Sequence, residues 1–178
     1  MNKSIKIGGA GGFWGDSFIA TSQLLNADNN LDFIVYDYLA EITMSILARA
    51  RSKDPKLGYA TDFVSTVMKI NLRQISDQKV KIISNAGGVN PLACAEAIRE
   101  LIKDQNLNLK VAVITGDDLL DHKTTVFDSN ITEMFSGEAL PDQKNVVSIN
   151  AYLGAFPIAE ALKQGADIVI TGRCVDSA

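Results

Sequence analysis

The side chains best suited to chemistry in this chain are carboxylates and one arginine, and most of them adjoin glycines. Asp37 and Glu41 stand four apart in Tyr36-Asp37-Tyr38-Leu39-Ala40-Glu41. At a strand-to-helix junction both could face a cleft and serve as base or acid if burial raised a pKa. Glu41 could equally complement the positive end of its own helix. Asp117 and Asp118 are adjacent after Gly116, which suits Mg²⁺ held through waters, or one acid–base group beside one orienting group. Asp118 could instead cap a short helix. Thr171-Gly172-Arg173-Cys174-Val175-Asp176 supplies a cation, a thiol and a carboxylate. Arg173 is the best anion partner, because a guanidinium meets carboxylate or phosphate through two parallel donors.

Backbone amides are the second resource. Gly11 and Gly12 lie in a glycine-rich loop that ends at Asp16, and its amides could cradle a phosphate or carboxylate. The spacing Gly9-x-Gly11-x-x-Trp14 fails the dinucleotide fingerprint at its third glycine, and no Gly-Lys-Ser/Thr follows, so neither nicotinamide nor ATP is implied. Asn85, Gly87 and Gly88 form a second such loop, closed by Asn90-Pro91. Cys94 falls in the first turn of the next helix, where a dipole could activate a thiol, but Ala93 and Ala95 beside it suit a small core residue. His122 reads as a surface residue. Asn150 and Tyr152 offer an amide and a phenol at the same edge.

The elements that must position these groups alternate regularly. Strands are expected near 3–8, 31–36, 79–84, 109–115, 146–150 and 167–171, where apolar β-branched residues cluster. Helices are expected over 17–27, 39–52, 60–77, 91–104 and 156–164. Strand, helix, strand repeated along the chain means right-handed crossovers and an α/β fold: a mostly parallel sheet with helices on both faces, three-layered and Rossmann-like. The alternative is a partial (β/α) barrel. Ten of the thirteen glycines then fall at the carboxyl edge of the sheet, where such folds bind ligands. The stretch 116–145 lacks clean periodicity and is too long for a plain connector.

Composition narrows the function classes. With 178 residues, 17 basic against 21 acidic, and a net charge of −4, the chain suits one domain with a real core. No block of like charge argues for nucleic acid or an anionic membrane surface. No apolar run approaches a membrane span, and two cysteines with one histidine make neither a disulfide framework nor a zinc site. A cytoplasmic location is expected.

Several motifs together resemble the acyclic terpene utilisation (AtuA-type) family, in the N-terminal domain of its members. They are Gly-Phe-Trp-Gly-Asp-Ser (12–17), Asp-Tyr-Leu-Ala-Glu (37–41) followed by Thr-Met-Ser-Ile-Leu-Ala-Arg-Ala-Arg (43–51), Asp-Pro-x-Leu-Gly-Tyr-Ala-Thr-Asp-Phe (54–63), Ser-Asn-Ala-Gly-Gly-Val-Asn-Pro (84–91), Gly-Asp-Asp (116–118), Ala-Tyr-Leu-Gly-Ala-Phe-Pro-Ile (151–158) and Gly-Ala-Asp-Ile-Val-Ile-Thr-Gly-Arg-x-x-Asp (165–176). The resemblance covers the whole chain in order. It implies a part in citronellol and geraniol breakdown, and an enzyme acting on a branched acyl-CoA or carboxylate in a lyase- or hydratase-type step. The alternative is a non-catalytic ligand-binding or assembly subunit. In the enzyme, Glu41, Asp117 or Asp118 would move a proton, while Gly11, Gly12, Asp16, Asn85, Gly87, Gly88, Arg173 and Asp176 would hold the ligand. No cofactor is firmly implied; Mg²⁺ at Asp117 and Asp118 is the one candidate. Family members run longer, so residues 1–178 are expected to be one α/β domain that is the N-terminal part of a larger one. A homo-oligomer or a second chain are its expected partners besides the small molecule.

Overall fold

Five of the six apolar runs become strands: β1 (Ile7–Gly9), β2 (Phe33–Tyr36), β3 (Lys81–Ser84), β4 (Val111–Ile114) and β5 (Ile168–Thr171). The computed structural model describes residues 4–27 and 30–175. The described strands form a single sheet in the order β1-β2-β3-β5-β4, and every pairing is parallel. This is the α/β architecture expected. β1 lies at an edge rather than the centre, and β5 inserts between β3 and β4, so the order is not the sequential one of a barrel wall.

Alternation along the strands explains the layers. Ile34 and Tyr36 of β2, Ile82 of β3, and Ile168 and Ile170 of β5 share one face and are buried there. Helices α1 (Ala20–Ala27), α3 (Lys69–Gln78) and α4 (Pro91–Asp104) cover that face, with Leu25, Leu72, Ile75 and Ile98 joining the same core. Each fully buried aliphatic side chain contributes about 1.5–3 kcal/mol relative to exposure. The crossover from β4 back to β5 reverses direction, so a right-handed connection sends α6 (Phe156–Lys163) to the opposite face. There α6 packs on β4 and β5, and all four β5 residues are buried.

Local sequence explains the helix ends. Asn90 accepts from the amide of Ala93 at 3.3 Å, and Pro91 occupies the first helical position of α4. The helix expected over 60–77 divides in two: a π-helical turn, Phe63–Met68, runs into α3. A wider turn misaligns carbonyls from their usual partners, and buried Asn71 answers one of them, donating to Val67 O at 2.8 Å. Helix α1 begins three residues later than the periodicity of 17–27 predicts.

The expected strand at 146–150 does not join the sheet. Only Asn150 pairs, through an isolated antiparallel bridge to Asp118. Val146 and Ile149 instead face Val126, Phe127, Leu140 and Pro141, residues of the 116–149 excursion, which also holds α5 (Lys123–Asp128). The run is apolar because it lines that local cleft, which a sequence pattern cannot distinguish from a sheet strand. Among the described residues no helix is long and apolar enough to cross a membrane.

Candidate functional site

Arg173 follows β5 directly, and three neighbouring segments fix it. Asp117, after β4, is buried beneath it and accepts from the Arg173 amide at 2.8 Å and from Asn150 Nδ2 at 3.0 Å. The Asp117 carbonyl takes the Ala151 amide at 2.8 Å, and Leu153 N donates to Arg173 O at 3.0 Å. Gly172 permits this approach: a Cβ there would sit 2.4 Å from the Asp117 carboxylate. The Arg173 side chain is 2% exposed. It donates to Leu39 O at 3.1 Å and to Glu41 Oε1 at 3.4 Å, and its guanidinium stacks 4.3 Å from the centre of the Tyr152 ring. The Tyr152 hydroxyl donates to the same Glu41 oxygen at 3.0 Å.

Asp117 is therefore a staple between the ends of β4 and β5. Asp117→Ala strands the buried Arg173 amide and the half-buried Asn150 Nδ2, and we expect it to cost about 2 kcal/mol in urea unfolding. An unchanged midpoint would show that those donors find other acceptors.

A cleft of about 260 Å³ opens beside Arg173 at the carboxyl ends of β2, β3 and β5. Asp37, Asn85 and Cys174 line it together with Val35, Ile83 and Ile158. Asn85 accepts the Tyr38 amide at 2.7 Å and donates to Asp37 Oδ1 at 2.8 Å, which orients that exposed carboxylate. Cys174 donates to Thr171 Oγ1 at 3.2 Å, and burial pushes its thiol pKa up. Asn85 and Arg173 thus share one cleft.

Asp117 and Asp118 border a different one, about 200 Å³, with Arg51 and Asn90. The two acids do not face a common point. Asp118 pairs with Arg51 at 2.8 Å and caps the following turn through the Leu120 amide at 3.0 Å. Among the described residues no group of three or more His, Cys, Asp or Glu side chains is placed to hold a metal ion.

The glycine loops are already occupied by the chain itself. Asp16 accepts the Gly12 amide at 2.9 Å, so the carboxylate in that loop is the protein's own. Gly11 adopts φ +85°, against the Tyr38 ring. Gly87 and Gly88 are buried and tightly packed rather than open to a ligand. Cys94 is fully buried in the core, and burial pushes its thiol well above the usual range. His122 is exposed. Asp176 lies outside the described residues.

Glu41 is held ionised. Its carboxylate is exposed, and its pKa is lowered from the ordinary 4.5 by its own backbone amide, the Tyr152 hydroxyl and the Arg173 charge. The depressed value means that the contact stabilises the fold above the ordinary glutamate range and is lost as pH falls through the lowered value. We expect a carboxyl NMR titration of Glu41 to show a midpoint below 4.5, moving upward in Tyr152→Phe. A midpoint unaffected by that change would break the link to Tyr152.

On sequence grounds Asp37 is a candidate acid or base and Tyr152 a phenol at the same edge, but neither is among the residues that the family resemblance assigns to the site. Strand parity could have found Asp37: the register Val35↔Ile83 puts Asp37 and Asn85 level and on one face. Tyr152, expected just past a strand at 146–150, reaches Arg173 through an irregular segment instead.

The sequence model of one family, described as "Acyclic terpene utilisation family protein AtuA", matches residues 5–178. No curated protein and no solved structure matches the chain.

Proposed function

The chain belongs to the acyclic terpene utilisation family, and from that premise we propose that it acts on a branched carboxylate or its acyl thioester in that utilisation. The observation that carries this reading is the makeup of one cleft. Val35, Ile83, Ile158 and Val175 give it an apolar wall, while Asn85 and Arg173 give it a polar end. A branched hydrocarbon chain would lie along the wall, with its carboxylate or thioester carbonyl toward the guanidinium. At about 260 Å³ the cleft admits the acyl end and leaves a CoA nucleotide outside.

The reaction class is a lyase- or hydratase-type step. Asp37, oriented by Asn85, is the cleft carboxylate placed to move a proton, and Arg173 would carry charge developing on the carbonyl oxygen. This role passes to Asp37 from Asp117 and Asp118, whose carboxylates bind Asn150 and Arg51. A second reading, a non-catalytic binding or assembly subunit, is favoured by that same commitment of both acids to holding loops.

Calorimetry of the full-length protein with branched acyl-CoA thioesters, paired with growth of a deletion strain on citronellol, tests the proposal. Binding with lost growth supports it. No binding to any such thioester, with normal growth, overturns it.

A further inference from the structure

Two donors from different segments converge on a single oxygen. Arg173 Nη2 and the Tyr152 hydroxyl both point at Glu41 Oε1, at 3.4 and 3.0 Å. Each donor is held by contacts of its own. Arg173 is buried and remains bonded to Leu39 O, and Tyr152 stacks on its guanidinium from a segment pinned at Ala151 and Leu153. The acceptor is of another kind: the Glu41 side chain is 79% exposed, on the first residue of helix α2 (Glu41–Lys53).

A fixed donor pair holding a loose, solvent-exposed carboxylate has the form of a receptor filled by a tethered ligand. We propose that Arg173 and Tyr152 form a seat for the carboxylate of a small branched acid, and that Glu41 occupies the seat until the acid displaces it. The inference rests on the reading of the adjoining cleft and assigns it a ligand class, a free carboxylate.

Physical terms favour exchange. The chain's own carboxylate and an incoming one make the same charge-assisted bonds, so the swap conserves hydrogen bonding. An exposed ion pair is a weak competitor, because solvent screens it. Glu41 swings out on the surface, and the incoming carboxylate takes its place against the buried Arg173. A glutamate is ionised at neutral pH, so the tethered carboxylate competes as an anion.

The sign of one substitution decides the matter. If Glu41 is a competitor, Glu41→Gln tightens binding of 3-methylbutanoate by about threefold to fivefold, the factor by which an exposed pair competes. If Glu41 is a support that positions Arg173, the same change weakens binding. Isothermal titration of 3-methylbutanoate into the full chain would be run on wild type, Glu41→Gln, and Glu41→Gln with Tyr152→Phe. Circular dichroism melts would confirm that each variant is folded. Tighter binding in Glu41→Gln, lost again when the Tyr152 hydroxyl is removed, supports the seat. Equal or weaker binding in Glu41→Gln overturns the exchange while leaving the cleft reading intact. No heat from wild type or Glu41→Gln overturns both.

Discussion

Asp37→Asn is expected to remove at least about 100-fold of turnover while leaving ligand affinity within about threefold. The asparagine keeps an oxygen for Asn85 Nδ2, now at 2.8 Å from Asp37 Oδ1, so the loop geometry survives. What is lost is the capacity to take a proton. Asp37 lies on the surface of the cleft rather than in the core, so stability should change little. The measurement is conversion of a branched enoyl thioester by the full-length protein, followed by mass spectrometry. Unchanged turnover would remove Asp37 from the chemistry. A deletion strain that regains growth with the Asp37→Asn protein would favour the non-catalytic subunit.

Gly87→Ala should be the most damaging single methyl group in the described chain's carboxyl edge. The new Cβ would lie 2.4 Å from the backbone oxygen of Thr171 and 2.7 Å from Cβ of Pro91. Neither neighbour can yield cheaply, since one belongs to β5 and the other starts α4. We expect a loss of about 3 kcal/mol and a fall in melting temperature of about 6–12 °C. Gly12→Ala is the control, because its nearest contact would be Asp16 Oδ2 at 3.9 Å. Equal melting temperatures for the two variants would contradict the close packing of β5 on α4. The same contact bears on function: Gly87 brings α4 against Thr171, two residues before Arg173.

These positions show where sequence reading succeeds. Alternating β-branched runs at 33–36, 81–84 and 168–171 carry the parallel sheet, because a strand covered by helices must be apolar. The capped start of α4 at Asn90-Pro91 is equally legible, since the signal is local. Strand order is not local. The placement of β5 between β3 and β4 depends on which neighbour each strand finds after a long excursion, and no residue spacing encodes it. The run at 146–150 has a strand's composition because it lines a cleft with Val126 and Phe127, a demand that looks the same in one dimension.

The site divides similarly. Arg173 and Asn85 stand at strand ends, where topology alone brings them to one cleft. The paired acids after β4 could not be told apart by sequence, because adjacent residues point to different surroundings. Asp117 turns inward to the Arg173 amide, and Asp118 turns to Arg51. Of the glycine amides offered to an anion, that of Gly12 is answered from within, by Asp16. An internal acceptor four residues away leaves no mark in a glycine pattern.

Whether the cleft beside Arg173 takes the carboxylate end of a branched acid is decided by a crystal structure with 3-methylbutanoate bound. The ligand carboxylate should lie within hydrogen-bond distance of Arg173, with its methyl groups against Val35, Ile83 or Ile158. A ligand bound instead in the cleft at Arg51 and Asp118, with the Arg173 cleft filled only by solvent, would contradict it.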